Sequence, residues 1–353
     1  MRILFVSPEI SKMTGGGVFS NTIHDALKAV GCELQDCSFP LYKNNWEKLK
    51  HQLRGYTMGM NASVERKILK RVNELSIDTI IINGSRFGGV IRKIKKTAPR
   101  CKVVCIFHNV EYDFVLNAIR LKKSIVALLT LFVTGKNEKD AIDFSDIILA
   151  LNERDSSSLQ RRYGRKADAI LPLCLEDRFD ATKVKLSDGV KKGAFIGSNF
   201  YANNRGVKWF CENVSNRVDC KILIVGKGFD SEKEYFMKFP NVELVGTVPY
   251  TDPYYYDVDF IVSPIFDGSG MKTKTAEALM FGKTIFGTKE AFEGYDLDYQ
   301  QAGALCNDEE DFVRAINSFD VSQGKFNKYS RNVFLDKYSK QQIVCILNKV
   351  LNI

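Results

Sequence analysis

The segment Ser263-Pro264-Ile265-Phe266-Asp267-Gly268-Ser269-Gly270-Met271-Lys272-Thr273-Lys274-Thr275-Ala276-Glu277-Ala278-Leu279 has the residue types of a diphosphate site. It reads as a buried strand, a glycine turn and the start of a helix, where bare backbone N–H groups can cradle phosphate oxygens. Lys272 or Lys274 supplies positive charge, and Glu277, one turn deeper, can accept from a sugar hydroxyl. Two lysines at a helix start oppose the helix dipole, a cost that an anion would offset. Gly15-Gly16-Gly17 follows the first strand-like run and opens a second helix, so it offers the same anion-binding chemistry without the GxGxxG spacing.

A third group of reactive side chains follows a buried run: His108, Asn109 and Glu111. His108 is one of three histidines in the chain and falls at a strand's C-terminal end, where it serves either as a ligand group or as a hydrogen-bonded loop anchor. Glu111 reads equally as a carboxylate that activates an acceptor or as an acidic residue suited to a helix start. Arg86, after Asn83-Gly84-Ser85, is a further candidate for contact with an acceptor. Two motifs are dismissed. Gly282-Lys283-Thr284 resembles the end of a Walker loop, but Glu277 occupies the position where that motif needs glycine. Asp257-Val258-Asp259 has the spacing of a metal-binding pair, yet Asp259 runs directly into a strand, so no metal is expected.

These residues need two α/β domains to position them. Short apolar runs at Arg2–Ser7, Asp78–Asn83, Lys102–His108, Ile147–Leu151 and Ala169–Leu173 alternate with helical patterns at Val18–Val30, Ser63–Leu75, Arg86–Thr97, Phe114–Asp143 and Glu153–Tyr163. That alternation predicts a parallel sheet covered on both faces. The rhythm restarts with strands at Gly193–Ile196, Cys220–Val225, Val242–Val245, Phe260–Ser263, Thr284–Gly287 and Ala304–Cys306. A length of 353 residues also exceeds a single core. The domains expected are 1–175, 176–335 and a closing helix within 336–353, with the hinge near Leu173–Ser187. Ligands of such folds bind at the C-terminal edges of the strands.

The order of motifs resembles the retaining GT-B glycosyltransferases of family four (glycosyl transferases group 1). The resemblance rests on Val242–Gly246, Tyr254 to Pro264, the Gly268–Ala278 segment, and Phe281-Gly-Lys-Thr-Ile-Phe-Gly-Thr in the second half. In the first half it rests on Gly15–Gly17, His108-Asn109-Val110-Glu111 and Leu151-Asn152-Glu153-Arg154-Asp155. It implies two Rossmann-like domains facing each other across a cleft, the last helix crossing back to the first domain, and transfer of a sugar from a nucleoside diphosphate sugar to a hydroxyl acceptor with retention. By that resemblance Glu277 contacts the ribose, Lys274 or Lys272 neutralises the leaving diphosphate, and His108 reaches the donor sugar. Gly16, Gly17, Gly270, Met271, Thr273 and Thr275 line the donor, and the base meets backbone near Gly246 and Val248. Two departures stand out. Ser269 occupies the place of a second glutamate, and Gly197-Ser198 replaces a Gly-Arg pair, whose charge Arg205 or the paired lysines could supply.

Apolar residues make up 45% and charged residues 26% of the chain, which excludes a disordered or low-complexity protein. Nine cysteines without a CxxC pair read as free thiols of a reducing compartment. The N-terminal apolar run is too short for a signal peptide and the longest apolar segment, Ser124–Val133, too short to span a bilayer, so a cytoplasmic location is expected. Residues 1–175 hold 28 Lys and Arg against 17 Asp and Glu, and residues 176–353 hold 23 against 25. The first half is therefore expected to meet an anionic partner, such as a phospholipid surface at the inner face of the membrane, a lipid-pyrophosphate or lipid-linked glycan acceptor, or nucleic acid. No basic-aromatic reader motif for nucleic acid is present. Arg120–Val133 reads either as a helix lying in a membrane interface or as a core helix with a basic start. Two rivals share the fold class, a nucleotide-sugar epimerase and a non-catalytic glycan-binding or partner subunit.

Overall fold

The computed structural model describes residues 1–10, 15–121, 125–185, 189–268, 270–323 and 325–352. Ser269 and part of Arg120–Val133 lie outside them. The chain divides into two compact units, one of Met1–Pro172 with the C-terminal helix Lys340–Leu351, the other of Leu173–Ser339.

Unit 1 is built on β1 (Arg2–Pro8), β2 (Glu33–Phe39), β3 (Thr79–Asn83), β4 (Lys102–Phe107), β5 (Ile147–Ala150) and β6 (Ala169–Ile170). All pair in parallel in the order β2-β1-β3-β4-β5-β6. The central strands are buried along their whole length, β3 at all five positions, as continuous Ile and Val runs require of a sheet covered on both faces. β2 was not expected from sequence. As an edge strand it carries Glu33, Gln35 and Asp36 and buries only Cys37 and Phe39, so its apolar signal is short. The Phe114–Asp143 helix resolves into Glu111–Leu121 and Ile125–Phe144. The helix Lys340–Leu351 packs on the helix Gly15–Ala29, and Lys102 Nζ donates to Val350 O at 3.1 Å.

Unit 2 holds β7 (Lys192–Ile196), β8 (Lys221–Val225), β9 (Val242–Gly246), β10 (Phe260–Ser263), β11 (Thr284–Gly287) and β12 (Gly303–Leu305). Its parallel order is β12-β11-β10-β7-β8-β9. A core rich in phenylalanine, with Phe195, Phe210, Phe229, Phe236, Phe260 and Phe312 nearly inaccessible, packs the helices onto the sheet. In each unit the connections reverse direction once, between β1 and β3 and between β7 and β10. At such a reversal the flanking helices diverge to opposite faces and leave a crevice beyond the strand ends.

Candidate active site

In unit 2 the crevice lies where β7 and β10 end. β10 runs through Pro264 into the glycine turn, where Gly270 has φ of 63°, and then into the helix Thr273–Met280. The helix Tyr201–Asn213 presses against this turn so closely that a Cβ on Gly206 would stand 1.8 Å from Pro264 O. Lys274 faces the neighbouring strand end: a Cβ on Gly197 would meet its Cε at 3.2 Å. Its ammonium donates to Asn203 Oδ1 at 2.5 Å and lies 5.2 Å from the Phe195 ring centroid. Asn203 is oriented by its own Nδ2, which donates to Ser198 O at 2.8 Å. Burial, with Lys272 nearby, lowers the Lys274 pKa to about 7. A buried ammonium with one neutral hydrogen-bond partner is incompletely compensated, and an anion is the partner that would compensate it.

Lys272 is held differently. Its Nζ donates to Gly270 O at 2.8 Å and pairs with Glu290 Oε1 at 2.7 Å, with 10% of the lysine side chain exposed. Glu277 sits between Arg178 and Tyr255. Arg178 donates to Glu277 Oε1 at 3.1 Å and to Asp252 Oδ1 at 3.1 Å, and Tyr255 Oη lies 3.4 Å from Glu277 Oε2. Burial raises the Glu277 pKa, and Arg178 opposes that shift. Each carboxylate oxygen keeps a lone pair for a ligand hydroxyl, and the side chain is 19% exposed.

Other candidates from the sequence are placed less directly. Thr275 is buried and its hydroxyl donates to Ala291 O at 2.7 Å, while Met271 is buried with its sulfur accepting from Leu173 N at 3.3 Å. Their side chains serve the fold, and the Thr275 N–H is engaged as well, donating to Lys272 O at 2.9 Å. Thr273 is the first residue of the helix. Arg205 is exposed and pairs with Asp267 at 2.5 Å. Gly246 ends β9 with φ of 74°, against Asp230, which also accepts from Thr247 N at 3.1 Å; Val248 follows on the same edge. Asp259 accepts from Lys192 N at 2.8 Å and Asp257 pairs with Lys185 at 2.9 Å, both near the strands' N-terminal ends. Lys283 is buried and donates to Val258 O at 2.9 Å, so it has a structural role at the opposite edge from the glycine turn.

In unit 1 the corresponding crevice lies beyond β1 and β3. Gly16 and Gly17 form the first turn of the helix Gly15–Ala29, which begins three residues earlier than its apolar pattern suggests. Ser20 Oγ donates to Gly16 O at 2.8 Å and Ser7 Oγ to Pro8 O at 3.2 Å, so both hydroxyls accept from Asn83 Nδ2, at 2.9 and 3.0 Å. Asn83 Oδ1 is thereby turned towards His108 Nε2, 2.6 Å away, and Nε2 must carry a proton. Burial lowers the His108 pKa, leaving Nδ1 of the neutral ring as an acceptor. Phe19 meets the ring edge-on at 5.5 Å between centroids.

Glu111 starts the helix Glu111–Leu121 and forms an ion pair with Arg86. Asn109 Nδ2 lies 3.5 Å from its other oxygen. Beneath them is Glu138, fully buried and unmarked by any sequence motif. It accepts from Glu111 N at 2.7 Å, Tyr112 N at 3.0 Å, Ser85 Oγ at 3.0 Å and Tyr163 Oη at 2.9 Å. It thus satisfies orphan donors at a helix start while burial raises its pKa to about 7.

Residues 191–319 match the family described as glycosyl transferases group 1. In three dimensions the chain is similar to the sucrose-phosphate synthase from Thermosynechococcus elongatus, at 12% identity over 99% of this chain and 98% of that one, with a TM-score of 0.76. It is also similar to HepE from Anabaena solved with UDP, at 14% identity over the whole of both chains and a TM-score of 0.70. A third likeness is WaaG, a glycosyltransferase involved in lipopolysaccharide biosynthesis, at 12% identity, 99% of each chain and a TM-score of 0.66. The fold is that of the GT-B glycosyltransferases. No curated protein matches the sequence. The family match spans β7 to β12 and so includes Lys272, Lys274 and Glu277.

Proposed function

We propose that the protein transfers a sugar from a nucleoside diphosphate sugar to a hydroxyl acceptor, a glycan or lipid-linked glycan precursor, with retention at the anomeric carbon. The observation that carries this reading is the buried Lys274, with one neutral partner, at the β7–β10 crevice beside Glu277. The match of residues 191–319 to group 1 glycosyl transferases supports it, as does the presence of UDP in the HepE structure.

In this reading the N–H groups of the turn and first helical turn hold the diphosphate, together with Lys274. Glu277, fixed by Arg178 and Tyr255, accepts from the ribose. Lys272 is the second cation, released from or shared with Glu290 as charge develops on the leaving diphosphate. His108 Nδ1 is assigned to a donor-sugar hydroxyl, and Arg86, Asn109 and Glu111 to the acceptor. No metal is required, because the lysines and the helix N-terminus supply the positive charge that a cation would bring. A retaining transfer then proceeds by electrostatic stabilisation of an oxocarbenium-like centre and the departing diphosphate. A cytoplasmic site of action follows from the expected free thiols.

The test is proton NMR of the purified protein with a panel of nucleoside diphosphate sugars and alcohol or glycan acceptors in the presence of a chelator. The reading expects diphosphate release coupled to a product with the donor's anomeric configuration. Inversion would refute retention, and epimerised donor without transfer would establish the epimerase instead.

A further inference from the structure

We propose that unit 1 docks on an anionic phospholipid surface through the helices Asn45–Gln52 and Ile125–Phe144, with a lipid phosphate entering the cationic cavity beside them. The two helices are neighbours, joined by Gln52 Nε2 donating to Thr130 Oγ1 at 2.9 Å and by Asn137 Nδ2 donating to Gly55 O at 3.0 Å. Among the described residues, unit 1 exposes eight large apolar side chains, and six lie on these helices or the adjoining chain. Trp46 is 81% exposed, Leu53 71% and Phe132 70%, with Leu128, Val126 and Leu41 also exposed. From Val126 to Phe132 the second helix is apolar except for Thr130 and buries none of these residues. A core helix would hide such a run.

The surroundings of this ridge are cationic. Lys43, Lys48, Lys50 and Arg54 accompany a single acid, Glu47, between residues 43 and 54. Leu53 precedes Arg54, and Phe132 lies one turn before Lys136. Arg54 and Lys136 both line a cavity of about 100 Å³, which Arg86, Arg92 and Lys93 also reach. That volume is roughly three water molecules, the size of a phosphate group. Arg92 pairs with Asp140 at 3.5 Å and Lys93 with Glu65 at 2.5 Å, whereas Arg54 and Lys136 form no ion pair among the described residues. Apolar side chains bordering unpaired cations match an anionic bilayer, which takes up both. A second copy in a symmetric pair would set these cations against their own images.

Vesicle binding reports on unit 1 and nucleotide binding on unit 2, so this inference and the donor reading fail separately. The experiment is co-sedimentation of the full chain with vesicles of phosphatidylcholine alone or with one-third phosphatidylglycerol, following tryptophan emission. The chain has two tryptophans, and Trp209 is only partly exposed, so Trp46 dominates the solvent-sensitive signal. Binding to anionic vesicles with a shift of emission to shorter wavelength is expected, and Trp46→Phe loses the shift. The double variant Arg54→Gln/Lys136→Gln weakens binding by about 25-fold, at about fivefold per surface charge. Leu53→Ser/Phe132→Ser weakens it at least tenfold, with unchanged thermal midpoints showing that the fold survives. No sedimentation with anionic vesicles, unchanged emission, or a dimer in solution that buries Trp46 would overturn the proposal.

Discussion

On the proposed donor reading, Lys274 makes the affinity for a nucleoside diphosphate depend on pH in a direction set by its burial. In the free protein its pKa is lowered from 10.5 to about 7. A bound diphosphate compensates the buried charge and returns the pKa upward. At pH 8 only about one free molecule in ten carries the proton, so binding takes up about 0.9 proton, and affinity falls about tenfold between pH 8 and pH 9. The sign for folding is opposite. Between about 7 and 10.5 the unfolded chain binds the proton that the native state lacks, so this group's contribution makes the free protein more stable as pH rises, by at most about 1.4 kcal/mol per unit. Calorimetry with UDP at pH 8 in Tris and in HEPES reads the proton uptake as a difference in heat. Lys274→Met should abolish the difference. Equal heats in the two buffers for the unmodified protein, or uptake that survives in Lys274→Met, would refute the reasoning.

Three further expectations test the scaffold. Arg178→Met leaves Glu277 and Asp252 without their shared cation and should cost about 1–3 kcal/mol in urea unfolding at pH 8. The cost should shrink on acidification, because burial already raises the Glu277 pKa and the neutral carboxyl needs no cation. Gly206→Ala places a Cβ against Pro264 O, and a shift of the turn costing about 1–3 kcal/mol should appear with weaker nucleotide binding. Glu138 has its pKa raised to about 7, so its contribution to stability is fullest below the ordinary glutamate value and is lost as pH rises through that range. Glu138→Gln removes this slope, and the stability gap between the two proteins in urea titrations should narrow from pH 5 to pH 7.5.

The parallel strands were legible because Ile80–Ile82, Val103–Ile106 and Phe260–Val262 are continuous apolar runs, which only a doubly covered sheet accommodates. The edge strand β2 and the helix Asn45–Gln52 were not: the strand buries two side chains, and the helix buries only Gln52 while exposing Trp46. The glycine turn and the helix that follows it were legible as a candidate site because glycine, lysine and glutamate are adjacent in sequence. Arg178, Asn203 and Glu290 were not, because they come from three distant stretches and meet the segment only across the sheet edge. Asn203 left one trace, a polar residue on the buried face of the helix Tyr201–Asn213. Glu138 left none, since a buried carboxylate inside a helix has the same sequence appearance as a solvated one.

The proposed donor site is tested most directly by thermal unfolding with a panel of nucleoside diphosphates and their sugars without metal, on the unmodified protein, Lys274→Ala and Glu277→Ala. A ligand at about 100 times its dissociation constant adds about 2.7 kcal/mol to native-state stability, enough to raise the midpoint readably. The account predicts a rise with one nucleotide that both variants lose. No rise with any nucleotide, or a rise that both variants retain, would contradict it.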